Sequence, residues 1–425
     1  MTVTACWRGV FWALFGLLAG CATTVTPHMP PPPMAYQLER VDLQAPLPEA
    51  LRTTTVPVFY ATTREPAPEG EPGHYVNAYD KSLRLGVARV ALGEPGWTWQ
   101  DLAASDRTGS IATQRAGRVE GVEEIGLVAR ENAQSEAERT FVKRINARLK
   151  EVRNPEVVLY VHGYRVTFDE VSVLMGSFAH YLGHGAMVTF QWPTGLQFWS
   201  YLTDCPRAER EVPDIERMVA LLAKTRAEHV NIIVYSCGSP LVAQALARLR
   251  ARHPEEGREA LAKRYRIGNV IFAASDVDLK TFAREYVPPV MDLARQMIIY
   301  YSRHDAALGF SSLMAGTSRL GRPNIEDLTV KDLERLGADP RLQAIDVTEV
   351  RGAHEQGGMR GHGYWYANDW ISTDVLLSLR YPIPPPPRCL TRGTGGKNVW
   401  IFREDYDRCL EETLWNDFPA LRRRQ

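Results

Sequence analysis

The chain has 425 residues, 45% of them hydrophobic, enough to bury a large core and, by length alone, to form two or three domains. Fifty basic residues balance fifty acidic ones, which removes any electrostatic case for a polyanionic partner such as nucleic acid. The ten histidines show no metal-ligand spacing, and neither GxGxxG nor a GxxxxGK loop occurs, so no metal and no nucleotide cofactor is expected.

Residues 1–20 stand apart. A short start carrying Arg8 is followed by VFWALFGLLAG and then Cys21. That apolar run is about half the roughly 20 residues that cross a bilayer, so it reads as the core of a signal peptide. Leu18-Ala19-Gly20-Cys21 resembles the lipobox of bacterial lipoproteins, in which the cysteine is lipidated and becomes the mature N-terminus. Ala22 follows rather than Asp, which by the sorting rule of enteric bacteria implies an outer-membrane protein, anchored through Cys21 and facing the periplasm. Export also sorts the cysteines. Cys6 leaves with the signal and Cys21 carries lipid, so Cys205, Cys237, Cys389 and Cys409 remain for an oxidising compartment. Cys389 and Cys409 share the C-terminal extension and are expected to pair, in a loop worth about 3 kcal/mol on the chain-entropy model.

Residues 21–50, rich in Thr and Pro, read as an extended spacer. A single domain is expected over 51–383, followed by a proline-rich linker and short extension over 384–425. Strands are expected at 56–62, 85–91, 157–161, 187–192, 232–235, 270–274, 297–301 and 344–350. Several are unbroken apolar runs, as in parallel strands covered on both faces. Helices alternate with them: 135–153 and 167–182 each open on a capping box (Ser135 with Glu138, Thr167 with Glu170), and 240–253 and 368–379 follow. This alternation indicates a doubly wound, mostly parallel α/β sheet.

At 230–239 the chain reads VNIIVYSCGS, a strand running into small residues ahead of a helix. A strand, a sharp turn and a helix make the context of a nucleophile elbow, where the next residue's N–H helps to hold an oxyanion. Ser239 precedes Pro240, which has no N–H to offer, and Cys237 has bulky Tyr235 two positions before it. Ser236 has Gly238 two after and a donor on Cys237, so it is the candidate nucleophile. Val234 stands where Gly or Ala is usual, and is expected to crowd the turn.

Upstream, VVLYV delivers His162-Gly163-Tyr164, whose glycine lets the backbone come close to a substrate, and the second oxyanion donor is assigned to the Tyr164 N–H. Downstream, IIYYSRHD ends on Asp305, the candidate orienting acid, while IFAASDVD ends with Asp276 as the alternative. The loop RGAHEQGGMRGHGYWYAND must supply the base: His362 lies between two glycines just before the last core helix, with His354 as the alternative. The three residue types form a chemical set. A serine hydroxyl attacks only if an imidazole takes its proton, and a carboxylate fixes that imidazole's tautomer and stabilises its charge. WPTGLQFWSYLTD (192–204) either lines an acyl or leaving-group pocket beside the elbow or packs in the core.

Taken in order, HGY after a strand, FQWPTG with Tyr201 and Asp204, the SxG elbow, AASDVD, YYSRHDAAL, Arg319-Leu320-Gly321 and Gly361-His362 resemble a family of bacterial α/β-hydrolases of unknown function. VFYATTR at 58–64 is similar to that family's opening segment, and the resemblance covers about residues 55–380. It departs at Tyr235, where the family has His, at Cys237, where it has Met, and at Ser275, where it has Pro. The resemblance implies the α/β-hydrolase fold and serine-dependent hydrolysis of a carboxylic ester, lipid esters among the candidates. The alternative is an envelope binding or scaffolding protein built on the same fold without its chemistry. Nothing in the sequence sets the acyl group, the alcohol or the oligomeric state.

Overall fold

The computed structural model describes residues 27–71, 73–109, 115–128, 135–152, 154–183, 185–355 and 361–423. The expected leader, with the Cys21 motif, lies outside them. In chain order the strands are β1 (Thr55–Pro66), β2 (Tyr75–Leu92), β3 (Gly117–Val128), β4 (Val157–Val161), β5 (Ala186–Gln191), β6 (Val230–Tyr235), β7 (Ile267–Ala273), β8 (Ala294–Tyr301), β9 (Leu342–Asp346), β10 (Leu390–Arg392) and β11 (Val399–Phe402). They form one sheet in the order β10-β11-β9-β8-β7-β6-β4-β5-β1-β2-β3. From β1 through β5, β4, β6, β7, β8 and β9 to β11 every pairing is parallel, while β2, β3 and β10 run antiparallel at the edges.

The central strands are mostly apolar because both of their faces are covered. Alternate residues feed two cores: Val157, Leu159 and Val161 join one cluster, Val158 and Tyr160 the other. Both expected capping boxes are present, Ser135 accepting from Glu138 N and Thr167 from Glu170 N. The expected strand at 344–350 stops at Asp346, and the chain turns there towards the loop that carries His362.

Two expectations are corrected. The described part of the supposed spacer, 27–50, packs onto the domain: Met29, Met34, Tyr36, Leu38, Val41 and Leu43 are buried in the same cluster as Tyr160 and Trp365. A buried ionic group fastens it. Asp106 accepts from Arg115 Nη1 (2.5 Å), His180 Nε2 (2.7 Å) and Gln44 Nε2 (3.3 Å), while Arg115 Nη2 donates to Pro30 O (2.8 Å). Between its Thr and Pro residues this arm carries enough apolar side chains to pack as a strap.

The C-terminal segment likewise is no separate extension. β11 pairs with β9 and lengthens the sheet, and the helix Tyr406–Asp417 buries Tyr406, Leu410 and Leu414. A disulfide joins Cys389 to Cys409. Arg388, fully buried, pairs with Asp374 of the last core helix (3.1 Å) and donates to Gln343 Oε1 (2.9 Å), and Tyr300 OH donates to the same aspartate (2.6 Å). The arm and the tail also meet, Asp42 N donating to Leu421 O (2.8 Å).

Removing one partner of a buried pair strands the other's charge, so Arg388→Met is expected to cost about 3–5 kcal/mol of unfolding free energy. Equilibrium urea denaturation measures it. A loss below about 0.5 kcal/mol would mean that Asp374 finds other compensation.

Candidate active site

The candidate residues gather where β4, β6, β7, β8 and β9 end, the edge at which open parallel sheets place their ligand crevices. Ser236 follows β6 directly with φ of 53°, a left-handed backbone that is uncommon for a residue with a Cβ. The room for it comes from two glycines. A Cβ on Gly163 would lie 2.7 Å from Ser236 Cβ, and one on Gly238 would lie 2.5 Å from His162 O. The HGY turn is thereby pressed against the elbow, and Tyr164 lines the same cavity as Ser236. Val234 does not break this arrangement. It is fully buried in the core and keeps register with Val161 and Phe272, so the tight contacts fall on the glycines.

His362 bridges the other two candidates. Its Nε2 lies 2.8 Å from Ser236 Oγ and its Nδ1 2.7 Å from Asp305 Oδ2. Asp305 is fixed by a second duty: it is the N-cap of the helix Ala306–Ala315, and its other oxygen accepts from Leu308 N (3.0 Å). With Nδ1–H donated to the carboxylate, Nε2 faces the serine as an acceptor. Burial acts to lower the His362 pKa, but the charge and hydrogen bond of Asp305, helped by the charge of Asp276, outweigh it and raise the imidazole above its ordinary value.

The alternatives lie elsewhere. Asp276 reaches the cavity but not the imidazole's hydrogen-bonding nitrogens. Its carboxylate accepts from Tyr201 OH (2.6 Å) and Ser311 Oγ (2.5 Å) and faces Arg319 Nε (3.3 Å). Burial raises its pKa against the opposing pull of Arg319 and the hydroxyls. His354 is half exposed beside Glu355 and stacks edge-on near His304, away from Ser236.

Three features were not read from the sequence. Trp192, from the FQWP motif, clamps the loop after β4: its N–H donates to His162 Nε2 (3.1 Å), its indole N–H donates to His162 O (3.0 Å), and the two rings stack at 5.3 Å. Burial, then the nearby charge of Arg64, holds the His162 pKa well below the ordinary value, so this imidazole is neutral and accepts from Trp192 while donating from Nδ1 to Gly163 O (2.6 Å). Arg64, fully buried, donates to Val166 O (2.9 Å) and steadies the same loop. Cys237 is bonded to Cys205, which ties the segment 195–207 to the elbow. That segment divides between the two readings offered above: Trp192 is core, whereas Leu196 and Tyr201 line the cavity. The cavity measures about 470 Å³, and its walls beside Ser236 and His362 include Tyr235, Leu308, Phe310 and Tyr366.

A family model described as an alpha/beta hydrolase of unknown function (DUF900) matches residues 137–380. Among solved structures, that of the esterase Est22 is similar at 12% identity with a TM-score of 0.27, covering 80% of this chain and 83% of that one. The acylaminoacyl peptidase of Pyrococcus horikoshii is similar at 11% identity with a TM-score of 0.25, covering 81% of this chain and 49% of its own. No curated protein matches.

The contacts of His362 set its titration. By NMR, its imidazole is expected to titrate above the ordinary value of about 6.5. Asp305→Asn should lower that pKa markedly and Asp276→Asn only slightly, since the first removes both a charge and a hydrogen bond and the second a more distant charge. The sign for stability follows: with the folded pKa raised, this histidine's contribution is full below about 6.5 and is lost as pH rises through the folded value. A larger drop in Asp276→Asn would make Asp276 the partner of the imidazole.

Proposed function

Because the chain belongs to the α/β-hydrolase family of unknown function whose model spans residues 137–380, we propose that it is a serine hydrolase cleaving carboxylic esters through an acyl-enzyme. The observation that carries this reading is the unbroken line of contacts from Asp305 through His362 to Ser236 Oγ, ending at a serine held in a left-handed turn. Ser236 Oγ attacks the ester carbonyl as its proton passes to His362 Nε2, and the imidazolium is stabilised by Asp305. The carbonyl oxygen, now negative, is held by the N–H groups of Cys237 and Tyr164. Collapse expels the alcohol, which takes the proton from His362, and leaves the acyl group on Ser236. Water then repeats the sequence: it gives its proton to His362 as it attacks the acyl carbon, and collapse breaks the bond to Ser236 Oγ, which takes that proton back from His362 as the acid leaves.

The surroundings suit these steps. Gly163 permits the approach of the loop after β4, while Trp192 and Arg64 hold that loop in place. The disulfide fixes Cys237, the residue whose N–H must meet the oxyanion, against the cavity wall. Tyr235, in place of the family's His, packs on His362 with ring centres 5.0 Å apart and fills a position that no proton transfer requires.

A fluorophosphonate probe should label Ser236, and p-nitrophenyl esters of graded chain length should be hydrolysed, with Ser236→Ala losing at least about 10³-fold in kcat. Labelling of Ser236→Ala at the wild-type level would remove Ser236 as nucleophile. A well-folded wild type that neither labels nor hydrolyses would point to the binding role instead.

The envelope location belongs to the same proposal and rests on the leader sequence. Cys21→Ser should abolish both the acyl modification and cleavage before residue 21, as read by mass spectrometry of the mature protein. Normal processing of Cys21→Ser to a released form would make the leader an ordinary secretory signal.

A further inference from the structure

We propose that the mouth of the Ser236 cavity is a bilayer-docking face and that its ester substrate is a lipid drawn from that bilayer; the substrate half of this rests on the ester-hydrolase reading. Two observations lead to it, one from the surface and one from the course of the N-terminal arm.

The two segments that wall the cavity also carry large apolar side chains out into solvent. Leu196 lines the cavity and is itself exposed, and along the same segment Trp199 (69% exposed) and Leu202 stand three residues apart. On the helix Ala306–Ala315, Phe310 lines the cavity, and Leu313 (79% exposed) and Met314 follow at the i+3 and i+4 positions of the same helical face. On both segments, then, apolar side chains stand in the cavity wall and, within a turn or so along the chain, out in solvent. Tyr201 joins the two segments, its ring 6.4 Å from that of Phe310 and its hydroxyl 2.7 Å from Ser311 Oγ. A soluble substrate needs no such side chains, and large apolar groups exposed on both segments of one cavity wall suit a partner surface. Trp199 at the rim has the amphipathic indole favoured at the membrane–water boundary.

The arm brings the anchor to the same place. Pro27, His28, Met29 and Pro30 line a second cavity, which shares Val166, Glu170, Tyr235 and Tyr366 with the first. The packed arm thus begins beside the Ser236 cavity, only six positions after Cys21. Six residues reach at most about 20 Å. Acyl chains on Cys21 cannot lie farther than that from the cavity's neighbour, so a bilayer that holds them is within reach of this face. A packed arm in place of a free spacer converts the anchor from a leash into an orienting device.

The test uses the chain from residue 22, which retains every described residue but no lipid, with vesicles of phosphatidylethanolamine and phosphatidylglycerol. The parent chain should sediment with the vesicles. The combined Trp199→Ser, Leu202→Ser, Leu313→Ser and Met314→Ser variant should bind at least about tenfold more weakly, in keeping with the loss of buried apolar area at the interface. Hydrolysis of soluble p-nitrophenyl butyrate should stay within about twofold of the parent, while hydrolysis of an acyl ester embedded in the vesicles should fall about tenfold. Equal sedimentation of the two proteins, or none by the parent, overturns the docking face. An embedded ester whose hydrolysis falls no more than that of the soluble one overturns the lipid substrate. A parent inactive on both esters refutes the hydrolase reading and with it the substrate, while sedimentation still decides the surface.

Discussion

Ser236 sits in a backbone conformation that its own Cβ opposes, with φ of 53°, and such a residue costs of order 1–3 kcal/mol and persists only where its surroundings over-determine it. Those surroundings account for much of the molecule. β6 must be central and fully paired so that its end is rigid, and it lies between β4 and β7. The loop after β4 must come within van der Waals contact of the elbow, which requires Gly163 on the loop and Gly238 on the elbow. The turn aims the hydroxyl at an imidazole delivered from beyond β9, and that imidazole is aimed by a carboxylate whose second oxygen caps a helix. Each group is held by more than one bond, so the site is assembled by the fold rather than by the substrate.

The same constraint explains the dressing around the sheet. One core cluster is completed only by the N-terminal arm and by the C-terminal helix, which meet each other along Val41 and Arg422. The buried Arg388–Asp374 pair and the Cys389–Cys409 bond lock the tail beneath the last core helix, which follows the His362 loop directly. The Cys205–Cys237 bond ties the cavity wall to the turn itself, so that the apolar segment over the cavity and the backbone beside Ser236 share one covalent frame.

Much of this was legible in the chain. β4 is a continuous apolar run, as are 232–235, 270–273 and 297–301 within β6, β7 and β8, and the two capping boxes mark helix starts to the residue, so the α/β-hydrolase fold follows from pattern and motif together. Ser236, Asp305 and His362 could be singled out because the chemistry demands a fixed order of residue types after defined strands, and the structure puts these three in contact. What escaped has physical reasons. β3 reads GRVEGVEEIGLV, and its charges belong to a sheet edge that must resist pairing with other chains. β10 and β11 are too short to show a period. The arm's prolines suggested a spacer, although the apolar residues between them make a packed strap. Cys205 and Cys237 lie 32 positions apart, a spacing that carries no information until the fold closes the distance. Val234 stands where Gly or Ala is usual, yet its side chain is buried in a core cluster with Val161 and Phe272.

The central claim is that Ser236 carries the acyl group between the two halves of the reaction. Quenching wild-type protein with acid during turnover of a p-nitrophenyl ester, then weighing the peptide that spans Ser236, tests it directly. The account predicts a fraction of that peptide heavier by the mass of the acyl group, on Ser236 and lost once substrate is consumed. Steady hydrolysis with that peptide unmodified at every quench time, including the first burst, would contradict it.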